Sequence, residues 1–233
     1  MRVGIIQSCY IPWRGFFDFI DDVDLFILYD DIQYSHGSWR NRNQVKNAAG
    51  MRWLTVPVIA GSTSMSIDQV LIGKMDKPWI ELHRRLLKES LGTASYFNDA
   101  MALWEDCFVD EETYLSRLNE KLIRNISIYL QISTPIVMSR DYAVKGEKTS
   151  RLVNLLNMVG ASTYLSGPVA KNYLDETLLR ENGISLEYKS YDYPSYPQQF
   201  GEFIGTVSVL DLIANCGQAS RKYLKSVTPN IRV

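Results

Sequence analysis

The opening of the chain narrows the choice of fold more than any other stretch. Residues 3–7, Val3-Gly4-Ile5-Ile6-Gln7, form a short apolar run ending at an amide, and the loop-forming residues Pro12 and Gly15 follow. Phe16, Phe17, Phe19 and Ile20 then recur at helical spacing, and residues 24–29 make a second apolar run that stops at Asp30-Asp31. Strand, helix and strand in so short a space demand parallel strands joined by a right-handed crossover. Gln7 and Asp30 then stand side by side at the C-terminal ends of the strands, the edge where open α/β sheets bind ligands.

The rest of the chain fits around that unit. Residues 53–58 and 67–72 read as two extended segments separated by Gly61-Ser62-Thr63-Ser64, an antiparallel excursion from the parallel sheet. Residues 78–91 and 114–130 carry apolar positions three and four apart, as amphipathic helices do. The strand and helix order resumes with strands at 135–138, 162–165 and 184–188 and a helix over about 150–158; a last helix near 208–215 stops at Gly217. The expected architecture is one α/β domain over 1–233, a Rossmann-like, mostly parallel sheet with a short antiparallel excursion and a helical insertion over 76–131. At 233 residues with 46% hydrophobic content, the chain can bury such a core without disulfides or metals.

Cys9, Cys107 and Cys216 are odd in number and far apart, neither a disulfide framework nor a zinc pattern. A net charge of -1 argues against nucleic-acid binding by overall basicity. The first residues lack the longer apolar core of a signal peptide, and no apolar run approaches the roughly 20 residues that span a bilayer. The expectation is a cytoplasmic protein without membrane insertion.

Chemistry-bearing residues concentrate in two stretches. In Gln7-Ser8-Cys9-Tyr10-Ile11-Pro12-Trp13-Arg14-Gly15, rigid turn residues, aromatics and a cation follow the first strand, and the free N–H groups of the next helix with Arg14 suit a phosphate or carboxylate. The blander alternative is a helix entry with an aromatic staple. The second stretch runs from Asp30-Asp31-Ile32-Gln33 through His36 to Trp39-Arg40-Asn41-Arg42-Asn43. Adjacent acids in extended backbone point to opposite sides, so one of Asp30 and Asp31 faces the cleft while the other supports the loop. His36 is a further acid–base candidate. Arg40, Asn41, Arg42 and Asn43 crowd donors suited to sugar hydroxyls or a diphosphate, against the alternative of a solvated polar turn.

These residues, Gln7 with Tyr10, Pro12, Gly15 and Phe17, then Asp30-Asp31-Ile32-Gln33 and Trp39-Arg40-Asn41-Arg42-Asn43, resemble the signature of the WbqC-like family. Trp53-Leu54-Thr55-Val56-Pro57-Val58, Tyr164-Leu165-Ser166-Gly167-Pro168, Tyr173-Leu174 and the terminal Leu210-Asp211-Leu212-Ile213-Ala214-Asn215-Cys216-Gly217 extend the likeness over nearly the whole chain. The pattern is departed from at Ser8, where a proline is common, and at His36, where a lysine or another residue is expected; the choice of base stays open. The resemblance implies a place in O-antigen or related surface-polysaccharide biosynthesis.

Other segments carry less. Ser166 and Gly167, at a strand end, are candidates for contacting substrate, but Ser166 lacks the Gly-x-Ser-x-Gly elbow of a nucleophile. His83 is expected on a helix surface, Cys9 as a packing residue, and residues 191–198 as a rigid aromatic loop. Lys145-Gly146-Glu147-Lys148 lacks Walker spacing, so no motif supports ATP or NAD and no cofactor is named. Without redox or metal signatures, the expected function is transfer of an acyl or aminoacyl group, from a donor of unknown type, to a nucleotide-linked amino sugar. Asp30, Asp31 and His36 are its catalytic candidates, and Gln7, Tyr10, Trp13, Arg14, Gln33, Trp39, Arg40, Asn41, Arg42, Asn43, Ser166 and Gly167 its substrate contacts. The rivals are a non-catalytic nucleotide-sugar binding or assembly protein and an adenylyl-transfer enzyme. Oligomeric state is left open.

Overall fold

The computed structural model describes residues 1–73, 78–109 and 112–233. Its main sheet contains β1 (Arg2–Ile6), β2 (Leu25–Leu28), β5 (Ile136–Met138), β6 (Thr163–Ser166), β7 (Ser185–Tyr188) and β8 (Ile231–Arg232), in the order β5-β2-β1-β6-β7-β8. All pairings are parallel except β7 with β8. The chain thus winds outward from β1 to β2 and β5, then returns to build β6 and β7 on the other side. This is the strand order of dinucleotide-binding doubly wound folds, and it leaves a crevice where the direction reverses, between β1 and β6.

Side-chain alternation explains the layering. On β2, Phe26 and Leu28 face a core shared with Phe16 and Phe19 of α1 (Arg14–Asp21), while Ile27 faces the opposite core with Val3, Ile5 and Val153. Val153 belongs to α5 (Lys148–Met158), which with α6 (Glu176–Glu181) covers that second face. Gly4 is where α1 meets β1. A Cβ there would lie 2.4 Å from the Phe19 ring, so close helix–strand packing requires glycine.

The stretch expected to be helical holds α2 (Trp79–Leu91), α3 (Phe97–Glu105) and α4 (Leu115–Tyr129), which pack on the same core as α1, together with α7 (Val209–Cys216). Residues 76–77 and 110–111 of that stretch lie outside the described residues. Among the described residues, no helix is long and apolar enough to cross a membrane.

Three expectations need correction. The main antiparallel partner of the 53–58 segment is the Arg-Asn motif, since β3 (Arg42–Asn47) pairs with β4 (Gly50–Thr55), and residues 67–72 meet that segment only at its end, where Val58 and Ile72 form an antiparallel bridge. The hairpin closes because Asn47 Oδ1 accepts from the Ala49 N–H at 2.9 Å and Gly50 takes a φ of 96°. Residues 67–72 instead start as a 3₁₀ turn, Ile67–Gln69, and touch other segments through isolated bridges. His83 is not on the surface. It continues the buried stripe of Trp79, Leu87 and Leu91 on α2, and its Nδ1 shares a 3.0 Å hydrogen bond with the Tyr10 hydroxyl, which also accepts from Trp104 Nε1 at 2.8 Å. Burial pushes the imidazole down to about 4, so His83 is neutral at physiological pH. Tyr10, expected to contact substrate, is fully buried by these contacts and is a core residue.

Candidate functional site

Beyond the ends of β1 and β6 lies a cleft of about 530 Å³. It sits at the crevice that the strand order creates. Its apolar walls come from Trp13 and Phe16 at the start of α1, from Tyr191, and from Pro168, Ala170 and Tyr173 after β6. Polar groups converge on it from Gln7, Cys9, Arg40, Asn43, Ser166 and Thr206, with the backbone of Gly167 at the rim.

The loop after β1 is held by its neighbours. Ile11 adopts a φ of 37°, a left-handed conformation that strains a β-branched residue. Asn43 fixes it by donating from Nδ2 to the carbonyls of Tyr10 at 3.1 Å and Ile11 at 2.9 Å. The Val209 N–H donates to the Pro12 carbonyl at 2.9 Å, and Trp13 bridges to Ser208. Trp39 packs beside the loop, its carbonyl accepting from the Tyr10 N–H at 3.1 Å.

Arg40 is the cation of the cleft. Its Nη1 donates to Gln7 Oε1 at 2.6 Å, and its Nε is buried without a partner among the described residues. Asn119 of α4 anchors it from behind, with Nδ2 donating to the Arg40 carbonyl at 2.8 Å and to Ser8 Oγ at 3.1 Å. Cys9 is nearby, but burial raises its thiol pKa, which argues against a thiolate nucleophile.

The expected acids stand elsewhere. Asp30 lies beneath the loop, 1% exposed, with Oδ1 accepting from the Ser8 N–H at 2.8 Å and Oδ2 unpartnered among the described residues. Burial pushes its pKa up to about 6, against the opposing pull of the Ser8 hydrogen bonds and the Arg40 charge. Asp31 points to the far side of β2, bound by Arg151 Nη2 and Ser139 Oγ. His36 is exposed in the turn before Trp39. None of the three lines the cleft, and no other carboxylate or imidazole does so among the described residues. The extended geometry after β2 sends one acid down and the other sideways.

Of the expected substrate contacts, the cleft gathers Gln7, Trp13, Trp39, Arg40, Asn43, Ser166 and Gly167. Arg14 is turned away: its guanidinium is buried against Tyr193 and Tyr196 and donates to the carbonyls of Pro194 at 2.8 Å and Tyr223 at 3.1 Å. Asn41 is buried, donating to the Val56 carbonyl at 2.9 Å, and Gln33 donates to the Thr63 carbonyl at 3.0 Å. Arg42 stacks on Trp53, 4.2 Å from the ring centre, outside the cleft. Thr206 was not legible from its own surroundings; the bridge between Trp13 and Ser208 carries it to the site.

The model of the WbqC-like protein family matches residues 7–223. The chain belongs to that family. It is also 41% identical over 227 residues to "Uncharacterized protein Rv1507c" of Mycobacterium tuberculosis (strain ATCC 25618 / H37Rv), covering 96% of this chain and 97% of that one. No solved structure matches it. In this WbqC-like chain the matched span starts at Gln7, the first cleft residue beyond β1, and includes every polar residue of the cleft.

The position of Asp30 carries a stability consequence. Above pH 6 its carboxylate is charged in both folded and unfolded chains, and the folded chain bears a burial cost of about 3 kcal/mol. As pH falls from about 6 toward the ordinary value of 3.8, only the folded chain takes up the proton, and the cost disappears. Asp30→Asn, which keeps the acceptor for Ser8, is therefore expected to be more stable than the parent in urea unfolding at pH 7.5, with the gap closing by pH 4. A gap independent of pH, or a loss of stability at pH 7.5, contradicts the assigned burial.

Proposed function

We propose that this WbqC-like chain is an enzyme of surface-polysaccharide biosynthesis that transfers an acyl or aminoacyl group to the amine of a nucleotide-linked amino sugar. The observation that carries this reading is the meeting of the Arg40–Gln7 pair with aromatic walls in one crevice between β1 and β6. A guanidinium among the cleft-lining groups suits a diphosphate, and aromatic walls suit the rings attached to it. The volume is that of a pocket for one such molecule.

In the transfer, the sugar nitrogen attacks the acyl carbonyl carbon, a C–N bond forms, and the bond from that carbon to the leaving group breaks with its electron pair. The amine proton passes to the departing group, which takes it up with the electron pair of the broken bond. Arg40 and Gln7 hold the acceptor's phosphates, Ser166 and Thr206 offer hydroxyls, and the aromatic walls keep water from the donor. Asp30 acts behind the loop as a positioning residue.

The lack of a carboxylate or imidazole among the described cleft residues favours a second reading, a nucleotide-sugar binding or assembly protein that performs no proton transfer. One experiment separates the two. Purified protein is mixed with nucleotide-linked amino sugars and acyl-CoA, aminoacyl-tRNA or ATP-activated acid donors, and products are followed by mass spectrometry. Transfer gives the mass gain of the acyl group; tight binding of the sugar nucleotide with no mass gain from any donor establishes the binder.

A further inference from the structure

Outside the cleft, the β3–β4 hairpin presents an unusual surface. Cross-strand register puts Arg42, Gln44 and Lys46 of β3 on the same face as Met51, Trp53 and Thr55 of β4. That face carries no carboxylate. Lys46 closes one end, where its ammonium donates to Gln198 Oε1 and to the Glu202 carbonyl. Midway along the face Trp53 is 42% exposed, and Trp39 packs on it with ring centres 5.5 Å apart while remaining 46% exposed itself. Arg42 lies over the Trp53 ring and has no acid partner among the described residues. Two half-exposed indoles and an unpaired guanidinium, fixed on a hairpin, combine a stacking surface with anion donors.

Trp39 belongs to both surfaces, since it also lines the cleft. A cleft of about 530 Å³ is filled by one nucleotide-linked sugar, so a second substrate has to approach from outside its rim. The rim at Trp39 leads onto this hairpin face.

We infer that Trp39, Trp53 and Arg42 form a second ligand site, a shelf that takes the planar base of a purine nucleotide and sets its phosphate against the Arg42 guanidinium. The inference rests on the reading of the cleft as a one-substrate site, and it assigns the shelf to the group donor. A base stacks on the exposed indole surface, where every purine offers a π face, while the guanidinium supplies N–H donors at the ring edge. The face lacks the carboxylates that would repel a phosphate.

The test uses the five tryptophan indole N–H signals of the ¹⁵N-labelled full chain. Adenosine 5′-monophosphate is expected to move the Trp39 and Trp53 signals and leave Trp13 in place, whereas a panel of pyrimidine nucleoside diphosphates moves Trp13. Trp53→Ala, at a half-exposed position, is expected to weaken the monophosphate by about ten- to hundredfold and to leave diphosphate affinity within about twofold. Arg42→Gln should weaken the monophosphate and retain the indole shifts at saturation. The shelf is overturned if the monophosphate leaves Trp53 unmoved, if Trp53→Ala binds it like the parent, or if it moves Trp13 and competes with the diphosphates. Failure of the cleft reading looks different: the diphosphates leave Trp13 unmoved while the response of Trp53 to the monophosphate persists.

Discussion

Arg40→Ala is expected to weaken binding of nucleoside diphosphates by about ten- to hundredfold, the loss of charge-assisted hydrogen bonds in a partly desolvated site. The fold should survive, because Asn119 holds the backbone carbonyl of residue 40 and not its side chain. Arg40→Lys keeps the charge but loses the planar fork, so it should recover only part of the affinity. Calorimetric titration of the three proteins at one salt concentration reads this directly. Equal affinity for parent and Arg40→Ala would mean that the cation of the cleft does not meet the ligand.

The largest stability effect is expected at Lys189. Its side chain is 2% exposed, and its ammonium lies 2.6 Å from Asp18, which is fully buried, and 2.8 Å from Asp22. Lys189→Met leaves the buried Asp18 carboxylate with Lys225, at 3.5 Å, as its nearest remaining cation, and removing one partner of such a pair costs about 3–5 kcal/mol. Asp18 also accepts from the Tyr193 hydroxyl at 2.8 Å and the Ser226 N–H at 3.1 Å, so the cluster ties the chain after β7 to the end of α1. The cleft wall at Tyr191 belongs to that tied segment, and the substitution should therefore also loosen ligand binding. Urea unfolding measures the first effect; a loss below about 1 kcal/mol would show that Lys225 suffices. Burial alone would raise the Asp22 carboxyl, yet hydrogen bonds from Lys189 and Asn230 hold it below the usual carboxylate range. The stability it contributes is present above its ordinary value of 3.8 and is lost as pH falls below it.

The parts of this molecule that sequence could disclose are those governed by local pattern. The apolar runs around Ile5 and Ile27 and the aromatic spacing of Phe16, Phe17, Phe19 and Ile20 define the first β-α-β unit, and its crossover rule places Gln7 at the binding edge. Ser166 and Gly167 follow from the same rule once β6 lies beside β1. His83 was legible in principle, since it falls four residues after Trp79 and four before Leu87 on the buried stripe of α2. Polarity alone suggested otherwise, because nothing local announces that Tyr10 and Trp104 will meet it. Arg14 misled for a related reason: it sits at the start of α1 beside the cleft, but long-range packing draws its guanidinium under the Tyr193 and Tyr196 rings. Asp31 stands at the right edge and the wrong side, claimed by Arg151 from 120 residues away. Such pairings depend on where distant elements dock, which spacing does not encode.

The most direct test is a crystal structure of the chain with the nucleoside diphosphate that binds it best. Phosphate oxygens are expected within hydrogen-bond reach of Arg40 and Gln7, between the ends of β1 and β6, with the attached rings against Trp13 and Tyr191. A ligand seated with Arg151 and Asp31, or anywhere that leaves the crevice empty, would contradict it.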